Sequence, residues 1–143
     1  MYNILFLPII AGLIAQIIKF FIKGNKTKFS LKNMIAYAGM PSGHSAIVIS
    51  LATITGLELG LDSPIFAFSV IFAIIIIRDA LGIRRYLSQH GKTLNTLVDD
   101  LNEDEVLDEN YPRLLERIGH TPAQVLVGSL VGFIISILGY YFL

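Results

Sequence analysis

The segment that most constrains the fold of this chain is its last one, because the stretch from Thr121 to Leu143 contains no charged side chain. A helix needs about 20 mainly apolar residues to cross the hydrocarbon core of a bilayer. A second such run extends from Asn3 to Ile22, with Lys19 near its end. The chain as a whole is 54% hydrophobic, which exceeds the share typical of soluble domains. We therefore predict an integral membrane protein.

Two shorter apolar stretches lie between these runs, from Ser45 to Leu59 and from Pro64 to Ile77. Gly60, Asp62 and Ser63 separate them and are typical of a turn, so the two stretches are predicted to form a helical hairpin. Buried helices of soluble proteins can be this short, but they normally keep a polar face. We predict an all-α membrane bundle of about four transmembrane helices in a single domain. The predicted spans are at about residues 3–22, 45–59, 64–78 and 121–143.

Basic residues are concentrated in two of the three connections between these spans. The connection between the second and third spans holds only the acids Glu58 and Asp62. The other two hold Lys23, Lys26, Lys28 and Lys32, and Arg78, Arg84, Arg85, Lys92, Arg113 and Arg117. Because lysine and arginine accumulate in cytoplasmic loops, we predict a multi-pass protein of the cell membrane with both termini outside. Every candidate functional residue then faces the cytoplasm.

The third connection, at about residues 79–120, is too long to be a bare loop. Leucine and valine recur there at helical spacing, which predicts an amphipathic helix from about Ile83 to Leu101, along the membrane surface and with Gly91 as a point of interruption. Pro112 suits the first position of a second, short helix that ends near Gly119.

The segment from Gly39 to Ser45 places small residues and a histidine at the start of the second span. Small residues let backbone N–H groups approach an anion, and a helix N-terminus favours negative charge. Ser42 and Gly43 are therefore candidate phosphate-binding residues, with His44 beside the bound anion. The same pattern also occurs where a helix simply begins and a histidine lies at the membrane interface.

A second histidine, His120, lies just before the last span. Thr121 and Gln124 have the spacing of a capping box, and Pro122 suits the first helical turn. Helix initiation alone is therefore a sufficient explanation for these three residues. Capping does not explain His120. A helix N-terminus favours the neutral imidazole over its cation, and a nucleophile or general base must be neutral.

Two adjacent arginines, Arg84 and Arg85, follow the third span. Guanidinium groups bind phosphate oxygens in bidentate fashion, and Asp79 is close enough in sequence to fix them. Lys19, one turn inside the end of the first span, could reach a phosphate held at the interface. These cations also have a plainer explanation, since arginines set membrane topology and a lysine at this depth extends to the headgroups.

Together these motifs resemble those of the type 2 phosphatidic acid phosphatases, which share their site with vanadium haloperoxidases. Pro41 to His44 is similar to the second motif of that superfamily, the run from His120 to Gly128 is similar to the back half of the third, and Asp79 to Arg85 is similar to its divergent branch. The resemblance implies a metal-independent phosphatase. In such an enzyme His120 attacks phosphorus to form a phosphohistidine, and His44 protonates the leaving oxygen.

The sequence departs from the family pattern at several polar positions. Gln124 stands where the third motif has an aspartate, Leu114 stands where it has an arginine, and the first motif is not recognisable. We expect Asp79 to supply the missing charge, and Arg84 and Arg85 to replace the missing cations. The predicted catalytic residues are His120, His44, Gln124 and Asp79, and the predicted phosphate-binding residues are Ser42, Gly43, Arg84, Arg85 and Lys19.

The expected substrate is a membrane lipid phosphate, such as a phosphatidate, a phosphatidylglycerophosphate or a prenyl phosphate. No metal or cofactor is expected, and vanadate is expected to inhibit. The zero formal net charge gives no reason to expect nucleic acid as a partner. Since members of the superfamily usually have six membrane helices, a homodimer is also predicted. Small faces suited to it occur at Gly12, Gly128, Gly132 and Gly139.

Two other functions fit the sequence. A non-catalytic protein that binds or scaffolds lipid phosphates is favoured by Gln124 and by the missing arginine. Metal-dependent transfer would instead use an acid-rich segment, although such segments are usually only solvated. Its candidate ligands are Asp99, Asp100, Glu103, Asp104, Asp108 and Glu109.

Overall fold

The computed structural model describes residues 2–22, 38–103 and 111–142, and this part of the chain is helical, without strands. Its helices are α1 (Tyr2–Phe21), α2 (Gly43–Leu59), α3 (Pro64–Leu81), α4 (Ile83–Glu103) and α5 (Pro122–Phe142). Three apolar runs are long enough to cross a bilayer, namely α1, α5 and the run that begins with α3, whereas α2 is apolar but shorter. The predicted all-α membrane bundle is confirmed.

Helix α2 lies at the centre of the bundle and packs against α1, α3 and α5. Buried alanines form a cluster in the core, where Ala11 and Ala15 of α1 meet Ala46 of α2. Small side chains let helix backbones approach one another, which is how membrane helices gain packing energy. Large apolar side chains cover the outside of α1, α3 and α5. Lipid is the solvent that suits such a surface.

A buried hydrogen bond also joins the two central helices. The hydroxyls of Ser50 in α2 and Ser136 in α5 are 2.7 Å apart, and Ser136 Oγ lies 3.0 Å from the Ser50 carbonyl oxygen. Both serines are fully buried. Hydroxyls surrounded by hydrocarbon have no water to bind, so this pairing fixes the register of α2 against α5.

The predicted dimer face made of glycines is wrong, because these glycines lie inside the bundle. A Cβ atom on Gly128 would overlap the backbone of Ser42, and one on Gly132 would overlap the backbone of Ala46. The glycines that occupy such interior contacts are Gly12, Gly128, Gly132 and Gly139. The helices pack closely at these positions only because glycine has no side chain. The glycines are therefore already in contact within the bundle and are not available to a second copy. The homodimer itself stays a prediction.

Helix α4 runs without interruption through Gly91, contrary to the predicted break. Gly91 is buried, and a Cβ there would lie 2.9 Å from the carbonyl oxygen of Leu115. The glycine therefore serves close packing of a neighbouring segment and does not end the helix. Contact of α4 with the membrane surface stays a prediction.

The predicted short helix at 112–119 is also wrong, since residues 111–121 are not helical. Asn95 of α4 donates to the Leu114 carbonyl (3.0 Å) and accepts from its N–H (2.9 Å). Ser88 Oγ accepts from the N–H groups of Ile118 and Gly119, both at 3.0 Å. Because side chains of α4 satisfy these backbone groups, the segment lies extended along α4 and needs no helical hydrogen bonds.

Candidate active site

The first candidate histidine is positioned by a serine cap at the start of α2. Ser42 Oγ accepts hydrogen bonds from Ser45 N (3.4 Å) and Ser45 Oγ (3.0 Å), and Ser42 is fully buried. Its own N–H donates to the Gln124 carbonyl in the first turn of α5 at 3.0 Å. The N-termini of α2 and α5 are thereby joined, with His44 in the first turn of α2.

The second histidine, His120, is held by two elements. Its backbone N–H donates to the carbonyl of Ala80 near the end of α3 at 3.0 Å. Its ring atom Nδ1 lies 3.2 Å from Gln124 Oε1, which also accepts from Thr121 N at 3.0 Å. An amide oxygen only accepts, so Nδ1 carries the proton. The lone pair of the neutral ring is then on Nε2, where a nucleophile needs it.

The protonation of His120 follows from its burial. Only 5% of the residue is exposed, and burial lowers the pKa of His120 to about 4. The positive charges of Lys19 and Arg84 contribute to this lowering of the pKa, while the hydrogen bond with Gln124 partly opposes it. At neutral pH the imidazole is therefore uncharged, which is the state that nucleophilic attack requires.

The two imidazoles lie together at one end of the bundle. The ring centroids of His44 and His120 are 6.1 Å apart, with an angle of 63° between the ring planes. Lys19 is almost completely buried in α1, and its ammonium group donates to Gln16 Oε1 at 3.2 Å. The Gln16 side chain in turn lies close to Gly43, where a Cβ would be 2.9 Å from Nε2 of the amide. Residues from α1, α2 and the start of α5 thus surround one small region.

Asp79 forms an ion pair with Arg84, with Nε and Oδ2 2.6 Å apart. The aspartate is therefore the partner of the arginine, and Gln124 is the partner of His120 Nδ1. Asp79 was expected to replace the missing aspartate of the third motif, but in this arrangement it orients Arg84. The Arg84 charge still acts on the His120 ring.

The family of this chain follows from its similarity to known sequences. Residues 2–135 match the sequence model of the family described as the divergent PAP2 family. The chain belongs to this family. An uncharacterized membrane protein of Bacillus subtilis (strain 168), YuiD, is 40% identical over 146 aligned residues, which cover 93% of this chain and 91% of the relative. No solved structure matches. The match confirms the predicted resemblance and includes every candidate site residue.

In this divergent PAP2 protein, the two arginines predicted to bind one phosphate together are separated by the fold. Arg84 pairs with Asp79 and acts on the His120 ring. Arg85 instead packs its backbone against Gly119, and the residue lines a cavity of about 280 Å³ together with Lys92. Consecutive helical residues point about 100° apart, so neighbouring positions on α4 serve different regions.

Sequence reasoning missed the residues that position His120. Ser88, Gly91 and Asn95 lie on one face of α4 and hold the extended segment that leads to His120. Their spacing of three and four residues was a visible signal, because it places a polar strip on one side of an amphipathic helix. The helix is instead predicted from its leucine and valine positions alone.

We expect Asn95→Ala to loosen this segment. The change leaves the N–H and carbonyl of Leu114 without their side-chain partners, which costs about 1 to 3 kcal/mol for buried groups. Thermal unfolding of the protein in detergent should show a lower midpoint. The control is Asn102→Ala, which removes an exposed amide further along α4. Equal midpoints for the two variants would contradict the positioning role of Asn95.

The metal-dependent alternative receives no support from the described acids. Asp99 pairs with Arg113 at 2.7 Å. Among residues 2–22, 38–103 and 111–142, no three histidine or acidic side chains come together as a metal site. Asp104, Asp108 and Glu109 lie outside the described residues.

Proposed function

We propose that this protein is a membrane-embedded phosphatase that hydrolyses a lipid phosphate through a phosphohistidine on His120. The observation that supports it most directly is the pairing of two imidazoles with ring centroids 6.1 Å apart, one of which has its Nδ1 proton fixed by Gln124. Two histidines at this spacing can contact the same phosphate from two sides. Membership of the divergent PAP2 family makes phosphoryl chemistry the first reaction to test.

The reaction has two steps. Nε2 of His120 attacks phosphorus, the N–P bond forms as the bond to the lipid oxygen breaks, and His44 gives its proton to that oxygen. A water molecule then attacks phosphorus and passes a proton to His44, and the N–P bond breaks, which releases inorganic phosphate and restores the neutral ring of His120. The charges of Lys19 and Arg84 stabilise the equatorial oxygens, aided by backbone N–H groups at the start of α2. No step requires a metal ion.

A lipid is the substrate that suits the position of the site. The paired histidines lie at one end of a bundle whose outer surface is apolar, so a phosphate at headgroup depth can reach them while its tail stays in the bilayer. By the positive-inside rule, we expect this end on the cytoplasmic side. Phosphatidates, phosphatidylglycerophosphates and prenyl phosphates all have the required architecture.

One observation favours a second function, the binding of lipid phosphates without turnover. The partner of His120 Nδ1 is the neutral amide of Gln124. An amide orients the ring but does not stabilise the imidazolium by charge, which an aspartate would do. A protein with this site could hold a phosphate and turn it over slowly or not at all.

The deciding experiment measures phosphate release from a panel of lipid monophosphates in detergent, with a chelator present. Phosphatase activity that vanadate inhibits supports the proposal. Binding of the same lipids with no release at any protein concentration supports the non-catalytic alternative. Activity lost on chelation would favour the metal-dependent reaction instead.

Arg84→Ala is expected to lower kcat by about 10²-fold, because one charged donor to the transition state is removed. Phosphate release from the best lipid of the panel measures the effect. Arg78→Ala is the matched control, since Arg78 is an exposed arginine at the end of α3 with no contact to the histidines among the described residues. Wild-type rates in Arg84→Ala would exclude Arg84 from the site.

Gln124→Asp should move the acid limb of the pH profile. Activity is lost as pH falls through the pKa of His120, which is about 4. A carboxylate beside Nδ1 stabilises the imidazolium and raises this pKa, so the acid limb should move to higher pH by about 1 to 3 pH units. Ala123→Asp adds the same charge at the neighbouring exposed position and serves as the control. An unchanged limb would show that His120 is not the group that titrates.

A further inference from the structure

A cavity of about 280 Å³ lies beside His120, on the side of Arg85 and of the extended segment. Among the described residues that line it, three are basic, namely Arg85 and Lys92 of α4 and Arg117 of the segment. Glu116 is the one acid among the described lining residues, and its carboxylate already accepts a hydrogen bond from Asn95 at 2.8 Å. The cavity therefore has an excess of positive charge.

The three cations are not used elsewhere in the described structure. Arg84 pairs with Asp79 and Arg113 pairs with Asp99, but within residues 2–22, 38–103 and 111–142 no carboxylate forms an ion pair with Arg85, Lys92 or Arg117. Cavities lined by one sign of charge concentrate ions of the opposite sign. Arginine in particular matches the oxygens of a phosphate.

Building on the proposed phosphatase function, we infer that this cavity binds a second phosphate of the substrate. His120 lines the cavity and also contacts the region of His44, so one lipid headgroup can occupy both. Ligand pockets for whole molecules are typically about 300 to 1,000 Å³. The cavity is slightly smaller than that range, which suits part of a headgroup but not a lipid tail.

The preferred substrate class is therefore a lipid with two phosphates. The second phosphate is either bonded directly to the first, as in a lipid diphosphate, or separated from it by a glycerol, as in a phosphatidylglycerophosphate. The two consecutive arginines are assigned to different phosphates in this proposal. Arg84 lies at the reacting phosphate, and Arg85 lies at the second phosphate.

The test is a binding measurement that does not depend on turnover. Three non-hydrolysable phosphonate lipids with the same tail are titrated into the wild-type protein in detergent: one with a single phosphonate, one with a methylene-bridged diphosphonate and one with two phosphonates separated by glycerol. At least one two-phosphorus lipid should bind about tenfold tighter than the single phosphonate, as expected for one added charge-assisted contact. Comparison of the two lipids that carry two phosphorus atoms shows which distance between the phosphorus atoms the protein prefers.

The variants are Arg117→Gln and Lys92→Gln, which remove the positive charge and keep a polar side chain at exposed positions. Each should reduce the affinity ratio toward one. Arg113→Gln is the matched control, because it removes an arginine of the same segment that pairs with Asp99 outside the cavity, and it should keep the ratio. Unfolding midpoints in detergent verify that each variant is folded.

Equal affinity of wild-type protein for all three lipids would overturn the inference, and so would a preference that survives in both Arg117→Gln and Lys92→Gln. These failures are separate from failure of the proposed function. Release of phosphate from a monophosphate lipid with an affinity ratio of one leaves the phosphatase standing without a second phosphate position. A clear preference without any turnover leaves the binding position standing without the phosphatase.

Discussion

His120→Ala is expected to abolish phosphate release, with kcat lower by about 10³-fold or more, because the variant has no atom that can form the N–P bond. The covalent intermediate gives an independent readout. Wild-type protein incubated with a radiolabelled lipid phosphate and quenched in base should carry acid-labile label, and His120→Ala should carry none. Both measurements test the same atom, Nε2 of His120.

His44→Ala separates the role of the acid from that of the nucleophile. A general acid matters when the leaving group is a poor one, such as a lipid alkoxide, and matters little for p-nitrophenolate, which leaves without a proton. His44→Ala should therefore lose about 10²-fold or more with lipid phosphates and much less with p-nitrophenyl phosphate. His120→Ala should lose activity with both substrates.

The chain contains a matched control for these two variants. His90 is its third histidine and is exposed on α4. His90→Ala should keep the wild-type rates with both substrates. If His120→Ala retained the acid-labile label or the rate, another residue would have to be the nucleophile, and the proposed reaction would be incorrect.

Gly128→Val is expected to have the largest effect on folding. A Cβ at position 128 would overlap the carbonyl oxygen of Ser42, and its other two nearest atoms are also backbone atoms of that residue. The Ser42 backbone cannot rotate away from the added side chain as another side chain could. The start of α5 must therefore move away from the start of α2. Overpacking usually costs about 1 to 3 kcal/mol, and this contact should be at the upper end of that range or beyond it.

The same displacement would damage the site. The hydrogen bond from Ser42 N to the Gln124 carbonyl joins the starts of the two helices that carry or orient His44 and His120. Gly128→Val should therefore reduce the yield of monodisperse protein and lower the unfolding midpoint in detergent. Gly56→Ala is the control, since a Cβ there would meet the side chains of Phe66 and Leu61, which can shift. Equal midpoints for both variants would contradict the close contact at Gly128.

The membrane bundle could be predicted from the sequence because its signal is local. A charge-free apolar stretch such as the one from Thr121 to Leu143 satisfies its own backbone hydrogen bonds only as a helix and is soluble only in lipid. The two histidines were also visible, since each precedes or begins a helix and stands among residues that start helices, such as Ser42 and Thr121. Helix starts depend on a few neighbouring residues, so they can be recognised without the fold.

The tertiary structure decided what the local pattern leaves open. The segment 112–119 looks helical by itself, but Asn95 and Ser88, distant in sequence, satisfy its backbone and keep it extended. Gly128 and Gly132 would suit a dimer face equally well, yet they lie against the backbone of α2. Adjacent arginines at 84 and 85 suggest one phosphate, but the groups packed around α4 direct them to two regions. Sequence alone determined which segments enter the membrane and which residues can carry chemistry. Which residues those side chains contact was decided by the packing of segments that are distant in sequence. The energies of such long-range contacts cannot be derived from local sequence patterns.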